Sequence, residues 1–177
     1  MAISDISTMR LDLIAVTPAC ALSEQAGDGR LGELIRATVP ATWPPEHWEP
    51  HVFDWLLARF AEHPGEAAGW ARYVALRGAN GSRTLIGTVG AHRRVTEPGD
   101  CEIGYGLLPE FQGSGYATEA ATALIGWILL QPGVRTISAQ TYPSLAQSIR
   151  VMEKCGMRYV GPGDEEATIR YRWARGE

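Results

Sequence analysis

Apolar positions along this chain alternate between two spacings, and the switches between them mark out the elements. Leu11 to Val16 alternates loosely and predicts a first strand. Ser23 to Thr38 predicts a helical stretch interrupted by Gly27-Asp28-Gly29, with Leu31, Leu34 and Ile35 on its apolar side. Pro40, Pro44 and Pro45 break the chain. Glu46 to His63 places Trp48, Val52, Trp55, Leu56 and Phe60 at steps of three and four, the spacing of one helical face, and Pro64-Gly65 ends it. Trp70 to Arg77 and Thr84 to His92 read as strands joined by the turn Gly78-Ala79-Asn80-Gly81, which contains an Asn-Gly hairpin signal. The turn Glu97-Pro98-Gly99-Asp100 leads to a further strand, Cys101 to Leu107.

Beyond Leu107 the spacing changes again. A helix is expected from Thr118 to Leu130, with Ala117, Ala121, Leu124 and Ile128 on one face, stopped by Pro132-Gly133. Val134 to Thr141 predicts a strand. Leu145 to Cys155 predicts a helix with Leu145, Ile149 and Met152 inward and Gly156 in the C-terminal cap position. Met157 to Val160 and Ala167 to Trp173 are the closing strands; in the last, Ile169, Tyr171 and Trp173 alternate with Arg170 and Arg172, as on a half-buried strand. The unit from Cys101 to Thr141 must be a crossover between parallel neighbours. The expected fold class is therefore α/β (α+β): a mixed central sheet of about seven strands with helices on both faces.

Composition narrows the function classes. The 177 residues, 45% hydrophobic and 20% charged, fit one domain, 1–177. The net charge of −4 argues against a general nucleic-acid binder. Cys20, Cys101 and Cys155 are few and scattered, which speaks against a disulfide scaffold or a metal site. His47 and His51 do not form an H-E-x-x-H pair and are expected to be structural or substrate-lining. Met1 to Arg10 shows no secretory pattern. The longest apolar stretch, Ala117 to Leu130, is short and interrupted by Thr118, Glu119 and Gly126. The expectation is a cytoplasmic protein with no nucleic-acid or membrane partner. Trp43, Trp48 and Trp55 are expected in the core, and His92-Arg93-Arg94 at a solvated strand end. Arg150 and Lys154 could reach a ligand phosphate, but helix-surface charges such as these are usually solvated.

Candidate chemistry concentrates where the strand at Cys101–Leu107 gives way to the next helix. Gln112-Gly113-Ser114-Gly115-Tyr116-Ala117 can aim several backbone N–H groups at one point beside the positive end of a helix, and two glycines permit close approach: an anion-binding loop. It is not a Walker A loop, a dinucleotide fingerprint or a serine-hydrolase elbow.

The loop matches Gln/Arg-x-x-Gly-x-Gly/Ala and so resembles the pyrophosphate loop of the GNAT superfamily of N-acetyltransferases. Glu102-Ile-Gly-Tyr before it, Ala117-Thr-Glu-Ala after it, and Thr141-Tyr-Pro-Ser-Leu-Ala-Gln-Ser-Ile-Arg-Val-Met-Glu-Lys-Cys-Gly-Met are similar to the ribosomal-protein-alanine N-acetyltransferase (Rim-type) branch. The resemblance implies acetyl-CoA as donor substrate, no metal, and an amine acceptor that attacks the thioester directly. It implies a sheet splayed between the strands at Cys101–Leu107 and Val134–Thr141, with the pantetheine arm lying along Ile103–Leu107. Gln112, Gly113, Ser114, Gly115, Tyr116, Ala117 and Thr118 would hold the pyrophosphate, and the N–H near Leu107 would polarise the thioester carbonyl. Glu102 matches the position of the base, with pairing to a cross-strand arginine as the structural alternative. Ser148 matches the serine that assists the leaving thiolate. The tyrosine many relatives carry four residues before Gly156 is Met152 here, and the asparagine three before the serine is Leu145; Tyr142 could replace either. The resemblance also implies that the two early helices wall the acceptor pocket, so that Trp43, His47 and Trp48 could line it. A homodimer is compatible with the resemblance. A non-catalytic acyl-CoA sensor, or an acyl carrier for succinyl or longer chains, stays open beside the acetyltransferase.

Overall fold

The computed structural model describes residues 4–46, 48–63 and 70–174. Its strands are β1 (Ile6–Ser7), β2 (Leu11–Ala15), β3 (Ala71–Arg77), β4 (Arg83–Arg93), β5 (Asp100–Leu107), β6 (Thr136–Thr141), β7 (Arg158–Pro162) and β8 (Ile169–Ala174). Its helices are α1 (Pro18–Ala26), α2 (Leu31–Ile35), α3 (Pro50–Glu62), α4 (Tyr116–Ile128) and α5 (Ala146–Lys154). The strands form one mixed sheet in the order β1-β2-β3-β4-β5-β6-β8-β7. That is one strand more than the seven expected; β1 is two residues long, too short to leave a periodic signal. Among the described residues no helix is long and apolar enough to cross a membrane.

Chain contacts divide the molecule into two compact units: Met1–Val89 with Tyr105–Tyr116, and Gly90–Gly104 with Ala117–Glu177. In the first, β2 pairs antiparallel with β3 from Leu11↔Leu76 to Ala15↔Arg72. α1 begins earlier than expected because Thr17 caps it, its hydroxyl accepting from the Cys20 N–H at 3.3 Å, with Pro18 in the first turn. Gly27, with φ 61, ends it. Ile14, Val16, Cys20, Leu31, Ile35, Leu56, Tyr73, Ala75 and Leu85 form one buried cluster, with Trp43 and Trp48 packed against it. α3 starts at Pro50, a favoured first-turn position, rather than at Glu46. Its buried residues are Phe53 and Leu56, while Trp55 is 46% exposed. The expected stop at Pro64-Gly65 lies outside the described residues.

In the second unit β5 and β6 are parallel, as the crossover requires, and pair at Asp100↔Thr136, Cys101↔Ile137 and Glu102↔Ser138. β6 pairs antiparallel with β8, and β8 with β7. β7 closes the sheet as an edge strand, with a register shift between Tyr159 and Gly161 that disrupts the regular ladder. Ala120, Ala121, Leu124, Ile125 and Ile128 bury one face of α4. α5 ends in a Schellman motif: Gly156, at φ 82, donates to the Glu153 carbonyl at 2.9 Å, and Met157 donates to the Met152 carbonyl at 3.0 Å. Met152 is buried as expected, but Leu145 is 50% exposed, because α5 starts one residue after it.

Candidate active site

The glycine-rich loop takes its shape from a few local bonds. The Leu108 N–H donates to the Ile86 carbonyl at 2.9 Å, and the Leu108 side chain is fully buried, so the chain is anchored as β5 ends. Pro109–Phe111 makes one 3-10 turn, and the Gln112 side-chain amide donates back to the Leu107 carbonyl at 3.0 Å. Gly113 and Gly115 then adopt φ of 78° and 83°. A side chain in this left-handed region costs about 1–2 kcal/mol. Crowding is not the reason for glycine here: a Cβ on Gly113 would meet nothing within 4 Å, and one on Gly115 would lie 3.5 Å from Arg10 Nη2. Gln112, Gly113, Ser114 and Gly115 are exposed; Tyr116, Ala117 and Thr118 are half-buried and form the first turn of α4. First-turn N–H groups have no intrahelical acceptor and sit at the positive end of the helix dipole. An open, exposed loop at the start of a 13-residue helix can receive an anion.

Arg10 also reaches this loop, a contact the sequence reading missed. Its Nη1 donates to the Ser114 carbonyl at 3.0 Å, and its guanidinium lies 4.4 Å from the centre of the Tyr116 ring.

Glu102 lies in the second unit on a polar sheet face. Asp100 and Glu102 on β5, Thr136, Ser138 and Gln140 on β6, and Arg170 and Arg172 on β8 share that face by register. The Glu102 Oε2 accepts from Arg94 Nη1 and from the Gln140 amide, the latter at 2.9 Å. Among the described residues no donor reaches Oε1. Arg94 also contacts Asp164 at 2.5 Å and Asp100 at 3.5 Å. Arg170 binds Glu97 and, at 3.0 Å, Asp100; Arg172 binds Glu97; the Ser138 hydroxyl donates to Asp100 at 2.5 Å. Burial disfavours the charged Arg94, but Asp164 and Glu102 outweigh it and raise its pKa. The hydrogen bond from Arg170 holds the Glu97 carboxyl below the usual range, and that from Arg94 does the same for Asp164.

Two expectations are corrected here. Arg94 is not a solvated strand end: it is 9% exposed and central to this network. Arg170, expected on the wet face of its strand, is buried too, so β8 is covered on both faces at that position. The visible signal was the clustering of Glu97, Asp100 and Glu102 within a few residues of Arg94, but which carboxylate meets which guanidinium depends on strand pairing.

Ser148 lies in the first turn of α5 and is half-buried. Tyr142 is 46% exposed just before it, and its carbonyl accepts from the Leu145 N–H at 3.0 Å. At the other end of α5 the Cys155 thiol sits 3.5 Å from the Thr122 hydroxyl and 3.9 Å from the Thr118 carbonyl, which ties α5 to the first turns of α4. Burial pushes this thiol up. Among the described residues no group of His, Cys, Asp and Glu could hold a metal ion.

Trp43 and Trp48, proposed for the acceptor pocket, turn their indole N–H groups to the Glu24 carboxylate at 2.9 Å and 3.1 Å, and the Tyr73 hydroxyl donates to the same group. Their rings pack on Tyr73, each with centroids 6.0 Å from it. His47 lies outside the described residues.

A family model for the acetyltransferase (GNAT) domain matches residues 30–158. The uncharacterized N-acetyltransferase YnaD of Bacillus subtilis strain 168 is 40% identical over 60 residues, which are 34% of this chain and 35% of that protein. The matches span only 35% to 45% of the lengths of the curated relatives. The crystal structure of an acetyltransferase from Agrobacterium tumefaciens superposes with a TM-score of 0.63 at 25% identity, covering 99% of this chain and 96% of that one. The ribosomal-protein-S5-alanine acetyltransferase of Vibrio fischeri superposes with a TM-score of 0.67, covering 99% of this chain and 98% of that one; at 17% identity this likeness is one of fold. Nothing in these matches singles out the Rim-type branch.

Proposed function

The chain belongs to the GNAT acetyltransferase family, and from that premise we propose that it transfers the acetyl group of acetyl-CoA to a primary amine, on a small molecule or a peptide N-terminus, by direct attack in a ternary complex. The observation that carries this reading is the Gln112–Ala117 loop, exposed and held open by two left-handed glycines at the start of α4.

In this reading the backbone N–H groups of Gln112, Gly113, Ser114, Gly115, Tyr116 and Ala117 hold the pyrophosphate, with Thr118 in the same turn. β5 pairs with β6 no further than Glu102 but continues to Leu107. That supports Ile103–Leu107 as the edge for the pantetheine arm and the Leu107 N–H as donor to the thioester oxygen. The neutral amine attacks the carbonyl carbon, the C–S bond breaks, and the amide and CoA thiol form. The amine must shed a proton; Glu102 takes it, through water, at the Oε1 that no described donor occupies. The departing sulfur gains a proton; Ser148 is our first choice of donor and Tyr142 the second.

Isothermal titration with acetyl-CoA, on the wild type and on Gly115→Trp, tests the donor site. Binding that is lost in the variant supports the loop as pyrophosphate seat. An amine panel read by thiol release then tests turnover. Tight acetyl-CoA binding with no thiol release from any amine would replace this reading by that of an acyl-CoA sensor, and absence of binding by folded wild type would remove both.

A further inference from the structure

We propose that Arg10 is a positioning residue for the diphosphate loop: by holding the Ser114 carbonyl it sets which way the next N–H points. This rests on the reading that CoA binds at Gln112–Ala117. The peptide unit between Ser114 and Gly115 is planar and trans, so its C=O and N–H point in opposite directions. Arg10 Nη1 holds the Ser114 carbonyl at 3.0 Å, which turns the Gly115 N–H away from the guanidinium. Gly115 is at φ 83 and carries no Cβ, so this peptide plane would otherwise swing easily. The same guanidinium stacks 4.4 Å from the Tyr116 ring centre, so one side chain fixes two consecutive loop residues.

Arg10 can do this because the turn that presents it is itself held. The Arg77 N–H donates to the Arg10 carbonyl at 2.9 Å. The Arg77 guanidinium donates to the carbonyls of Thr8, of Met9 at 2.8 Å and of Leu11 at 3.1 Å. Asp12, bound to Arg77 at 2.7 Å and to Arg83 at 2.8 Å, fixes that guanidinium in turn. A chain of charge-assisted bonds thus runs from the β2–β3 pair, through the turn before β2, to the loop. An orientation set before binding does not have to be set during it, and the gain appears as affinity for the diphosphate.

The test compares two donors on Arg10→Met, which keeps an unbranched apolar stem and removes the N–H groups together with the guanidinium over Tyr116. Acetyl-CoA carries the diphosphate; acetyl-pantetheine does not. Loss of one charge-assisted bond predicts a KM for acetyl-CoA about tenfold higher, with kcat unchanged and kcat/KM for acetyl-pantetheine unchanged. Arg10→Lys, which keeps a single donor but not the fork, is expected to lose about threefold, again on acetyl-CoA alone; if the Met variant does not fold, the Lys variant carries the same comparison. Equal losses on both donors would mean a general structural role and overturn the inference. So would unchanged KM for acetyl-CoA. Failure of the wild type to bind CoA at all would instead count against the proposed function.

Discussion

Glu102 offers its two carboxylate oxygens to different surroundings: Oε2 takes Arg94 and Gln140, and Oε1 takes no donor among the described residues. A purely structural carboxylate and a proton acceptor therefore make different demands on this side chain. Glu102→Gln keeps an oxygen for Arg94 and removes the basic group. If Glu102 accepts the amine proton, kcat falls about 100-fold while the affinity for acetyl-CoA, measured by titration, holds. If it only braces Arg94, kcat falls by less than about threefold and the urea midpoint drops instead. Arg94 is the converse case. Arg94→Met takes one partner from the buried Asp100, the half-buried Glu102 and the exposed Asp164, while Asp100 keeps Arg170 and Ser138 and Glu102 keeps Gln140, so the expected cost is about 1–3 kcal/mol in urea unfolding. A loss below about 1 kcal/mol would show that the network is solvent-screened and only ornamental to stability. The sequence points to Glu102 through its place beside the loop and allows it an arginine partner, yet it does not say that Arg94 is that partner. Nothing in a single strand's alternation tells whether its polar face meets water or the charges of a neighbouring strand.

At the scale of elements, what was legible followed from local chemistry. The β5–α4–β6 crossover, the Asn-Gly hairpin and the Gly156 cap are each specified within a few residues, and each stands where the pattern put it. Start signals override apolar spacing in α1 and α3: the Thr17 cap with Pro18 starts one, and Pro50 in the first turn starts the other. In α3 the buried stripe is also rotated from the one the spacing predicts: Phe53 and Leu56 are the buried pair, and Trp55 faces outward. Long-range fit is still harder to read, and Gly87 illustrates it. The residue lies mid-strand in β4 with no turn to explain it. A Cβ there would collide with the Gly106 carbonyl and lie 2.9 Å from the Leu107 Cα, so the backbone of β5 runs directly against it. Gly87→Ala must push that backbone aside. It is expected to destabilise the fold by about 1–3 kcal/mol and, because Leu107 is displaced, to lower kcat as well. A variant with wild-type melting and wild-type kcat would mean that β5 shifts freely and that the Leu107 N–H has no fixed role.

Across the whole molecule, acidic and basic groups are paired within each unit, and this gives stability a definite pH dependence. In the first unit burial works against the ionised Asp12, but Ser7, Arg77 and Arg83 prevail and lower its pKa. In the second, Arg170 lowers Glu97 and Arg94 lowers Asp164. Carboxyls depressed in the folded state are protonated first in the unfolded chain, at about pH 4. Their contribution is thus complete above that value and is lost as pH falls through the folded values. At the alkaline end the sign reverses. Burial, and then the neighbouring Glu24, push Tyr73 far up. An unfolded tyrosine ionises near pH 10 while the folded one stays protonated, so stability declines again above about pH 10. Urea midpoints measured from pH 3 to 11 should trace a plateau with two falling shoulders. Asp12→Asn should flatten the acid shoulder and leave the alkaline one, since the ion pairs and the Tyr73–Glu24 bond involve different groups. Unfolding free energy that stays level from pH 6 to 3 in the wild type would show that the carboxylate pairs add nothing net. An acid shoulder untouched by Asp12→Asn would assign it to the Glu97 and Asp164 pairs of the second unit alone.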